Sequence, residues 1–311
     1  MRWHIGDLEL AAGDSSLVSF SHQDLVAAHS KGRTAFALHE LSGVSSGVAV
    51  RRGDRIDVVV PTYRPRKFLD VLCWLTSVVG EPGVEVTWLV ESSKGPKTVR
   101  KALEQVGWKL DLKRDGRTTR LTGRSDRTYE PPAPLSFTAE LGAKPAELFA
   151  DYGVFSPGRV DDGTTLLLDV ALAEQPVRAV ADIGVGYGPL GLGLALNGIA
   201  DRVSATDVDS VALWIAAMNA ERLAVPTDLT LTDDPGGIEP TELTVCNIPT
   251  HISSAGTRLL TGALGERARH GRVLTVVHSS LTQRYTRYFT DLGRTVTAHE
   301  GPQHTVLTIT R

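Results

Sequence analysis

Glycine and acidic residues are concentrated in the segment VADIGVGYGPLG, residues 180–191. Gly184, Gly186 and Gly188 alternate directly after the acidic Asp182. Glycines in such a turn allow positive φ angles and let a ligand approach the backbone closely. A helix predicted to begin near Pro189 adds free N–H groups at its N-terminus. The segment therefore predicts a loop that binds a nucleotide-like ligand.

Two further acidic positions follow at the ends of the next predicted strands. Asp207 ends the second strand, 25 residues after Asp182, and its carboxylate can accept hydrogen bonds from both hydroxyls of a ribose. Asp233 or Asp234 follows the third strand and can face the amine of an adenine. The spacing predicts separate positions for the sugar and the base of the ligand.

The glycine loop fits two kinds of ligand. Gly186, Gly188 and Gly191 satisfy G-x-G-x-x-G, with an acidic residue about 20 positions on, as in dinucleotide-binding folds. However, the Asp182 carboxylate would repel a pyrophosphate, whereas it suits a cationic ligand such as S-adenosylmethionine (SAM). SAM is the favoured ligand, and a nicotinamide or flavin dinucleotide remains the alternative.

A short motif, VCNIPTH at residues 245–251, ends the fourth predicted strand. In a doubly wound sheet this position lies beside the same crevice as the glycine loop. The Asn247 carboxamide and the carbonyl of Pro249 can both accept hydrogen bonds from an exocyclic amine, which would hold its nitrogen lone pair toward an electrophile. The alternative interpretation is an ordinary strand end that proline terminates.

Strands and helices alternate along the second half of the chain. This order predicts a mostly parallel sheet with helices on both faces, closed by an antiparallel hairpin. The predicted strands are 177–184, 202–209, 227–234, 242–249, 272–280, 295–300 and 304–311, and the predicted helices are 189–198, 210–225, 256–269 and 282–293.

The first half also shows strand and helix patterns, although residues 1–50 carry no recognisable motif. Strands are predicted at 56–61 and 84–91, helices at 68–79 and 97–107, and a hairpin at 108–123 around Asp115-Gly116. Residues 130–145 contain four prolines and are predicted to be a linker. We therefore expect a smaller α/β domain at 1–145 and a second domain at 146–311.

The charge of the chain, −3 overall, is unevenly distributed. Residues 1–150 carry a net +3 and residues 151–311 a net −6. The segment Lys94–Arg127, called here the basic face, holds 11 basic and 4 acidic residues. Such a concentration of positive charge predicts contact with nucleic-acid phosphates, and a solvated surface is the alternative.

The amino-acid composition argues against a disulfide-bonded, metal-binding or membrane-spanning protein. The chain has two cysteines, Cys73 and Cys246, which form neither a disulfide framework nor a metal-binding spacing, so no metal is expected. No apolar run approaches the ~20 residues that span a bilayer, so no membrane partner is expected. These features predict a protein of the reducing cytoplasm.

Together these motifs resemble the class I SAM-dependent methyltransferases. More narrowly, they are similar to the ribosomal RNA guanine-N2 methyltransferases of the small-subunit methyltransferase C and large-subunit methyltransferase G type. The segment YGVFSPGRVDDGTTLLLD, 152–169, resembles the family's segment before the glycine loop, and VESSKGPKTVRKALEQVG, 90–107, resembles part of its N-terminal domain. The shared residues of the first segment are Phe155, Ser156, Asp161 or Asp162, Gly163 and Thr164.

The resemblance implies a class I fold preceded by a degenerate copy that lacks a cofactor loop. It also implies that SAM is the cofactor and ribosomal RNA or a ribosomal subunit the partner. The SAM-binding residues that it implies are Asp182, Gly184, Gly186, Gly188, Asp207, Asp233 and Asn247. Asn247 and the Pro249 carbonyl would hold the target amine, and His251 matches the histidine that closes the family motif.

The motif departs from the family pattern Asn-Pro-Pro-Phe-His at two positions. Ile248 replaces a proline, and Thr250 replaces the aromatic residue that stacks on the target base. His251, Tyr187 or Phe155 would then have to supply the stacking ring. The alternatives are therefore a resistance-type enzyme that methylates another base such as adenine, a methyltransferase of a protein or small molecule, and an RNA-binding paralogue without catalysis.

Overall fold

The computed structural model describes residues 16–20, 23, 28, 35–37, 55–61, 64–79, 83–124, 127–130, 133–250 and 252–311. These residues form two compact units. One unit, called here the C-terminal unit, comprises Leu135–Val208 and Ala212–Arg311. The other, the N-terminal unit, contains the described residues up to Pro134 together with Asp209–Val211. The domain limits 1–145 and 146–311 stay a prediction.

The C-terminal unit is built on a seven-stranded sheet. Its strands are β9 (Val177–Ile183), β10 (Ala200–Asp207), β11 (Thr227–Leu231), β12 (Leu243–Asn247), β13 (Arg272–His278), β14 (Thr295–Glu300) and β15 (His304–Thr310). Its helices are α3 (Asp162–Ala171), α4 (Pro189–Leu196), α5 (Ser210–Arg222), α6 (Ser254–Arg267) and α7 (Thr282–Asp291), with one 3-10 turn at Ser279–Leu281.

The strand order is β11-β10-β9-β12-β13-β15-β14. All neighbours are parallel up to β13, and β15 then runs antiparallel to both β13 and β14. The strand order reverses between β9 and β12, so the carboxyl ends of these strands flank the switch-point crevice. This arrangement confirms the predicted doubly wound sheet and its closing antiparallel hairpin.

Helices cover both faces of this sheet because its strands are apolar on both sides. On one face, Ala181, Ile183 and Cys246 pack with Leu264 of α6 and Phe289 of α7. Side chains alternate along a strand, so Asp182 lies on the opposite face. There Gly191 of α4 approaches it, and α3 packs beside α4.

The predicted linker at residues 130–145 is wrong over its second half. Residues Ser136–Leu141 form β7 and Lys144–Phe149 form β8, an antiparallel hairpin of its own. The turn at Gly142-Ala143 places Gly142 at φ 68°, a conformation that suits glycine in a tight hairpin. The buried side chains alternate along both strands: Ala139, Leu141, Ala146 and Leu148. This alternation is typical of a strand, and the prolines nearby concealed it in the sequence.

The N-terminal unit contains a six-stranded sheet. Its strands are β1 (Ser16–Ser19), β2 (Ala35–Ala37), β3 (Arg55–Val59), β4 (Glu85–Glu91), β5 (Lys109–Asp115) and β6 (Thr118–Arg124), and its helices include α1 (Phe68–Val79) and α2 (Pro96–Gln105). The hairpin β5–β6 turns at Gly116-Arg117, as its Asp-Gly pair predicts.

The two sheets share a connection pattern. Among the described residues, the N-terminal order β2-β1-β3-β4-β6-β5 corresponds position by position to β10-β9-β12-β13-β15-β14 of the C-terminal sheet. Parallel and antiparallel pairings also correspond, because β1, β2, β3 and β4 are parallel and β6 is antiparallel to both neighbours. The described strands of the N-terminal sheet therefore repeat the connection pattern of the class I sheet, as the family resemblance implied.

Within the described ranges, no helix is both long and apolar enough to cross a membrane.

Candidate functional site

The glycine loop connects β9 to α4 at the switch point. Gly184, Gly186 and Gly188 have φ angles of 76°, 58° and 95°, which confirms that the loop uses the left-handed region. A Cβ built on Gly184 or Gly186 would meet no atom within 4 Å. The backbone therefore borders open space at these two residues, where a ligand can approach it closely.

Gly191 has a different role, because it lets α4 pack tightly against the sheet. A Cβ on Gly191 would lie 2.7 Å from Cγ1 of Val203 and 3.0 Å from Oδ2 of Asp182. A Cβ on Gly188 would lie 2.7 Å from Cδ1 of Leu192. Gly191 thus sets the approach of the helix to the sheet, whereas the near neighbour of Gly188 is a side chain of α4 itself.

Asp182 is the last residue but one of β9, and its carboxylate is buried, 1% exposed. Its Oδ2 accepts a hydrogen bond of 2.8 Å from the N–H of Gly191, whereas its Oδ1 has no hydrogen-bond partner. Burial raises the pKa of Asp182 to about 7, while the hydrogen bond from Gly191 acts in the opposite direction. A buried carboxylate with an unsatisfied oxygen favours a cationic neighbour.

Asp207 ends the adjacent strand β10 and borders the same loop. Its Oδ2 accepts a hydrogen bond of 3.0 Å from the N–H of Gly186. Asp233 lies after β11 and is exposed. Asp234, the other acid considered there, accepts a hydrogen bond of 2.8 Å from the N–H of Gly236, which fits a turn. Asp182 and Asp207 therefore lie at the ends of neighbouring strands, as predicted.

Asn247 ends β12 on the other side of the switch point. Its Nδ2 donates to Oγ1 of Thr164 at 2.9 Å and lies 3.3 Å and 3.4 Å from the carboxylate oxygens of Asp161. Asp161 is the N-cap of α3 and accepts hydrogen bonds from the backbone N–H groups of Gly163 and Thr164. The structure thus brings the segment before the glycine loop into contact with Asn247.

The residues after Asn247 divide between core and surface. Ile248 is 3% exposed and packs in the core beneath the site, whereas Pro249 and Thr250 are exposed. His251, the last residue of the predicted motif, lies outside the described residues. The position at which the family has its first proline is therefore a core position in this chain.

The two stacking candidates that the structure describes, Tyr187 and Phe155, differ in exposure. Tyr187 is 3% exposed, and its hydroxyl donates to the carbonyl of Arg159 at 3.0 Å. Its ring makes an edge contact with Phe137 at 6.1 Å. Phe155, by contrast, is 67% exposed. Tyr187 therefore supports the loop, and Phe155 offers an open ring face.

Sequence reasoning did not identify Asn219 of α5, which is completely buried. Its Nδ2 donates to the carbonyls of Phe149 and Tyr187, and its Oδ1 accepts from the N–H of Phe149. It thereby anchors the glycine loop to the end of β8. A lone asparagine among the apolar residues of SVALWIAAMNAER is the only signal that it left in the sequence.

Three comparisons place this geometry among known proteins. The model of the methyltransferase small domain family matches residues 146–307. The ribosomal RNA small subunit methyltransferase C of Hahella chejuensis is 29% identical over 212 residues, which cover 64% of this chain and 59% of that protein. The uncharacterized protein YbxB of Bacillus subtilis is 37% identical over 73 residues, 24% of this chain and 36% of that protein.

Among solved structures, the T. thermophilus 16S rRNA N2 G1207 methyltransferase, in complex with AdoMet and guanosine, matches with a TM-score of 0.71. The match is 20% identical and covers 95% of this chain and 82% of that one. At this identity the likeness concerns the fold. Because the family model covers more than half of the residues, this chain belongs to the methyltransferase small domain family.

Proposed function

We propose that this chain is a SAM-dependent methyltransferase that acts on a base of ribosomal RNA, at the exocyclic N2 of a guanine. The observation that carries the proposal is Asn247, whose carboxamide lies at the switch point across from an open glycine loop. The relative from Hahella chejuensis is named ribosomal RNA small subunit methyltransferase C, and the matching structure is titled as a complex with AdoMet and guanosine.

The residues of the loop fit SAM. Gly184 and Gly186 border open space, so backbone N–H and C=O groups can contact the methionine end of the ligand. The unpartnered Oδ1 of Asp182 suits a neighbouring positive charge. Asp207 would bind the ribose and Asp233 the adenine, as sequence reasoning predicts. When bound, SAM supplies an electrophilic methyl group on a sulfonium.

The chain's own contribution to the reaction is alignment. Oδ1 of Asn247 and the carbonyl of Pro249 would accept hydrogen bonds from the two N–H groups of the target amine. The lone pair of the amine nitrogen then forms the new N–C bond while the C–S bond breaks and its electron pair remains on sulfur. The proton leaves the nitrogen for water. Proximity and alignment of this kind supply most of the acceleration in such displacements.

The basic face of the N-terminal unit would hold the RNA backbone. Lys94, Lys97 and Lys101 are exposed, and none pairs with a carboxylate in the described part of the chain. Lys97 and Lys101 are four residues apart on α2, a spacing at which like charges repel. Lys97 also lies in the first turn, where the helix dipole disfavours a cation. Both the like-charge repulsion and the helix dipole lower the stability of α2. Lysines at these positions therefore favour a binding role over a structural one.

The target base would leave its stack and enter the pocket, as bases do in enzymes that modify them. We propose that Phe155 stacks on this base, because its ring is exposed whereas that of Tyr187 is buried. Phe155 would thus replace the aromatic residue that Thr250 lacks. An acceptor in ribosomal RNA would require the chain to work in the cytoplasm, as its cysteine content predicts.

The test measures transfer of label from methyl-tritiated SAM to separated small and large ribosomal subunits and to their stripped RNAs. We expect label in one RNA and, with Asn247→Ala, a loss of about 10²-fold or more in kcat in a protein that still binds SAM. Digestion of the labelled RNA to nucleosides identifies the base. Labelled N2-methylguanosine supports the proposal, and a labelled adenine or a protein acceptor contradicts it.

The basic face is tested by salt-dependent RNA binding. Lys97→Glu should weaken RNA binding and reduce its salt dependence, because each phosphate contact releases counterions. Arg66→Glu changes the charge equally outside the basic face and serves as the control. SAM affinity should not change in either variant. Equal losses of RNA binding in the two variants would contradict the assignment.

One observation favours a second candidate, an RNA-binding paralogue without catalysis. Ile248 is a core residue where the family has a proline, and the exposed Thr250 offers no ring. Such a protein would bind RNA through the basic face and transfer no label to any acceptor. The labelling experiment therefore distinguishes the two candidates directly.

A further inference from the structure

We propose that Asp161 and Thr164 are positioning residues that fix the orientation of the Asn247 carboxamide, so that its carbonyl oxygen faces the acceptor amine. This inference rests on the proposed function, because it concerns how the same site aligns its acceptor. Sequence reasoning placed the two residues only in a family segment, with no role.

The hydrogen-bond chemistry of the neighbours decides which end of the Asn247 amide faces α3. Nδ2 lies 3.3 Å and 3.4 Å from the two oxygens of Asp161 and 2.9 Å from Oγ1 of Thr164. An ionised carboxylate only accepts hydrogen bonds, so the amide must present its N–H₂ group to it. A flipped amide would place Oδ1 against two carboxylate oxygens, which would repel it.

Thr164 favours the same orientation of the Asn247 amide, because its hydroxyl proton is already used in a hydrogen bond. Oγ1 of Thr164 donates to Oδ2 of Asp161, so toward Asn247 it can only accept. Both residues therefore act as acceptors for the Asn247 amide. Both N–H groups of the amide are used on this side, and Oδ1 remains as an acceptor on the other.

The positioning carboxylate is itself held by the backbone. Asp161 caps α3 through hydrogen bonds of 3.1 Å and 3.2 Å from the N–H groups of Gly163 and Thr164. Leu167 and Leu168 anchor that helix in the core. The orientation of Asn247 is thus fixed by a residue that is itself held at the end of a packed helix.

The arrangement also has an electrostatic consequence. A negative charge behind the N–H₂ group polarises the amide and increases the negative partial charge on Oδ1. The acceptor nitrogen becomes positive as the new bond forms, so the hydrogen bonds to Oδ1 strengthen in the transition state. The positioning residues should therefore affect kcat more than ground-state binding.

The principal test is Asp161→Asn. Asparagine caps helices as well as aspartate does, so α3 keeps its N-cap. However, its own N–H₂ group can now face that of Asn247, and the Asn247 amide is free to flip. We expect kcat to fall about 10²-fold, while KM for RNA and the Kd of SAM stay unchanged.

Two further variants test Thr164. Thr164→Val removes the hydroxyl and keeps the shape, so it should lower kcat in the same way. Thr164→Ser keeps the hydroxyl and should restore kcat. A role limited to packing would predict the reverse order, because valine preserves the branched shape that serine lacks.

Asp162→Asn is the matched control, because the adjacent Asp162 side chain is exposed and its one ion pair within the described residues is with the exposed Arg159. It should leave kcat at the wild-type value. The effect of Asp161→Asn should also disappear in an Asn247→Ala background, since the two changes act on one alignment. Equal losses in both backgrounds, or an unchanged kcat in Asp161→Asn, would overturn the proposal.

A second readout does not depend on methyl transfer. The side-chain N–H₂ protons of Asn247, assigned by NMR through their loss in Asn247→Asp, should be protected from exchange and should lose that protection in Asp161→Asn. If the wild-type chain labels no RNA, the proposed function fails, and this readout still decides the orientation. Unprotected protons in the wild-type chain would overturn the orientation even if labelling succeeds.

Discussion

Asp182 combines burial with an unsatisfied oxygen, and this predicts an unusual dependence on pH. Its pKa is raised to about 7, whereas in the unfolded chain it has the ordinary value of aspartate. Between these two values the folded state binds the extra proton, so stability falls as pH rises. Unfolding by urea at pH 5 to 8 should show this fall, and Asp182→Asn should flatten it.

SAM binding should depend on pH in the opposite direction. A cationic ligand favours the ionised form of Asp182, so affinity for SAM should rise as pH increases through 7. Calorimetric titration across this range measures the effect, with Asp162→Asn as an exposed control. An Asp182→Asn variant whose affinity follows the same pH profile would show that another group is responsible.

Phe155 provides a second prediction at the level of single residues. Base–aromatic stacking contributes ~1–3 kcal/mol, so Phe155→Ala should raise KM for RNA about 5- to 150-fold. Phe155→Tyr should retain most of the affinity, and SAM affinity should stay constant. Leu259→Ala removes a comparably exposed apolar side chain from α6 and is the control. An unchanged KM in Phe155→Ala would exclude the stacking role.

The sequence predicts the site residues that lie at strand ends, but it does not predict contacts between residues that are far apart in the chain. Asp182, Asp207 and Asn247 end strands, and the carboxyl ends of parallel strands meet at one edge. The contact between Asp161 and Asn247 joins residues 86 positions apart. No periodicity encodes it, because it depends on how α3 packs on the sheet. The burial of Tyr187 likewise depends on neighbours that are distant in sequence.

At the scale of elements, two helical glycines should respond oppositely to the same substitution. Gly191→Ala in α4 would place a Cβ 2.7 Å from Val203, which should destabilise the protein by about 1–3 kcal/mol. A Cβ on Gly262 in α6 would meet nothing within 4 Å, so Gly262→Ala should stabilise the protein by about 1 kcal/mol. Urea midpoints of the two variants decide between these outcomes, and a shift in the same direction would contradict the packing argument.

Most elements were predictable because their patterns are local. The strand at 84–91, the helix at 68–79 and the Asp115-Gly116 hairpin agree with β4, α1 and β5–β6. The hairpin β7–β8 was missed because Pro131, Pro132, Pro134 and Pro145 suggested a linker. Pro145 can begin an isolated two-stranded ribbon because it has a partner on one side alone.

At the scale of the whole molecule, the two sheets differ at the strand end that we propose holds the acceptor. Asn247 corresponds to Val59, since each ends the strand that follows the switch point. The next residues, Ile248 and Val60, make the same backbone hydrogen bond, to Val276 and Leu89 respectively. The N-terminal unit thus keeps the strand end but replaces the carboxamide with a buried valine. The N-terminal unit therefore has no carboxamide at this strand end to align an acceptor in the way we propose for Asn247, whereas it carries the basic face.

The two compact units predict which C-terminal fragment of the chain folds stably. A fragment of residues 133–311 keeps the β7–β8 hairpin, whereas a fragment of 146–311 leaves β8 without its partner. Leu141 is completely buried, and its carbonyl accepts from Nδ2 of Asn197. Losing a buried leucine costs about 2–5 kcal/mol, so the shorter fragment should be the less stable by at least this amount.

The same two fragments separate the proposed roles of the units. The longer fragment should unfold cooperatively and bind SAM as the full chain does, because it contains the whole glycine loop. It should lose the salt-dependent part of RNA affinity, because the basic face is absent. Urea unfolding, SAM titration and RNA binding at two salt concentrations measure these properties. Equal stability of the two fragments would place the boundary after the hairpin, and undiminished RNA affinity would move the RNA contact to the C-terminal unit.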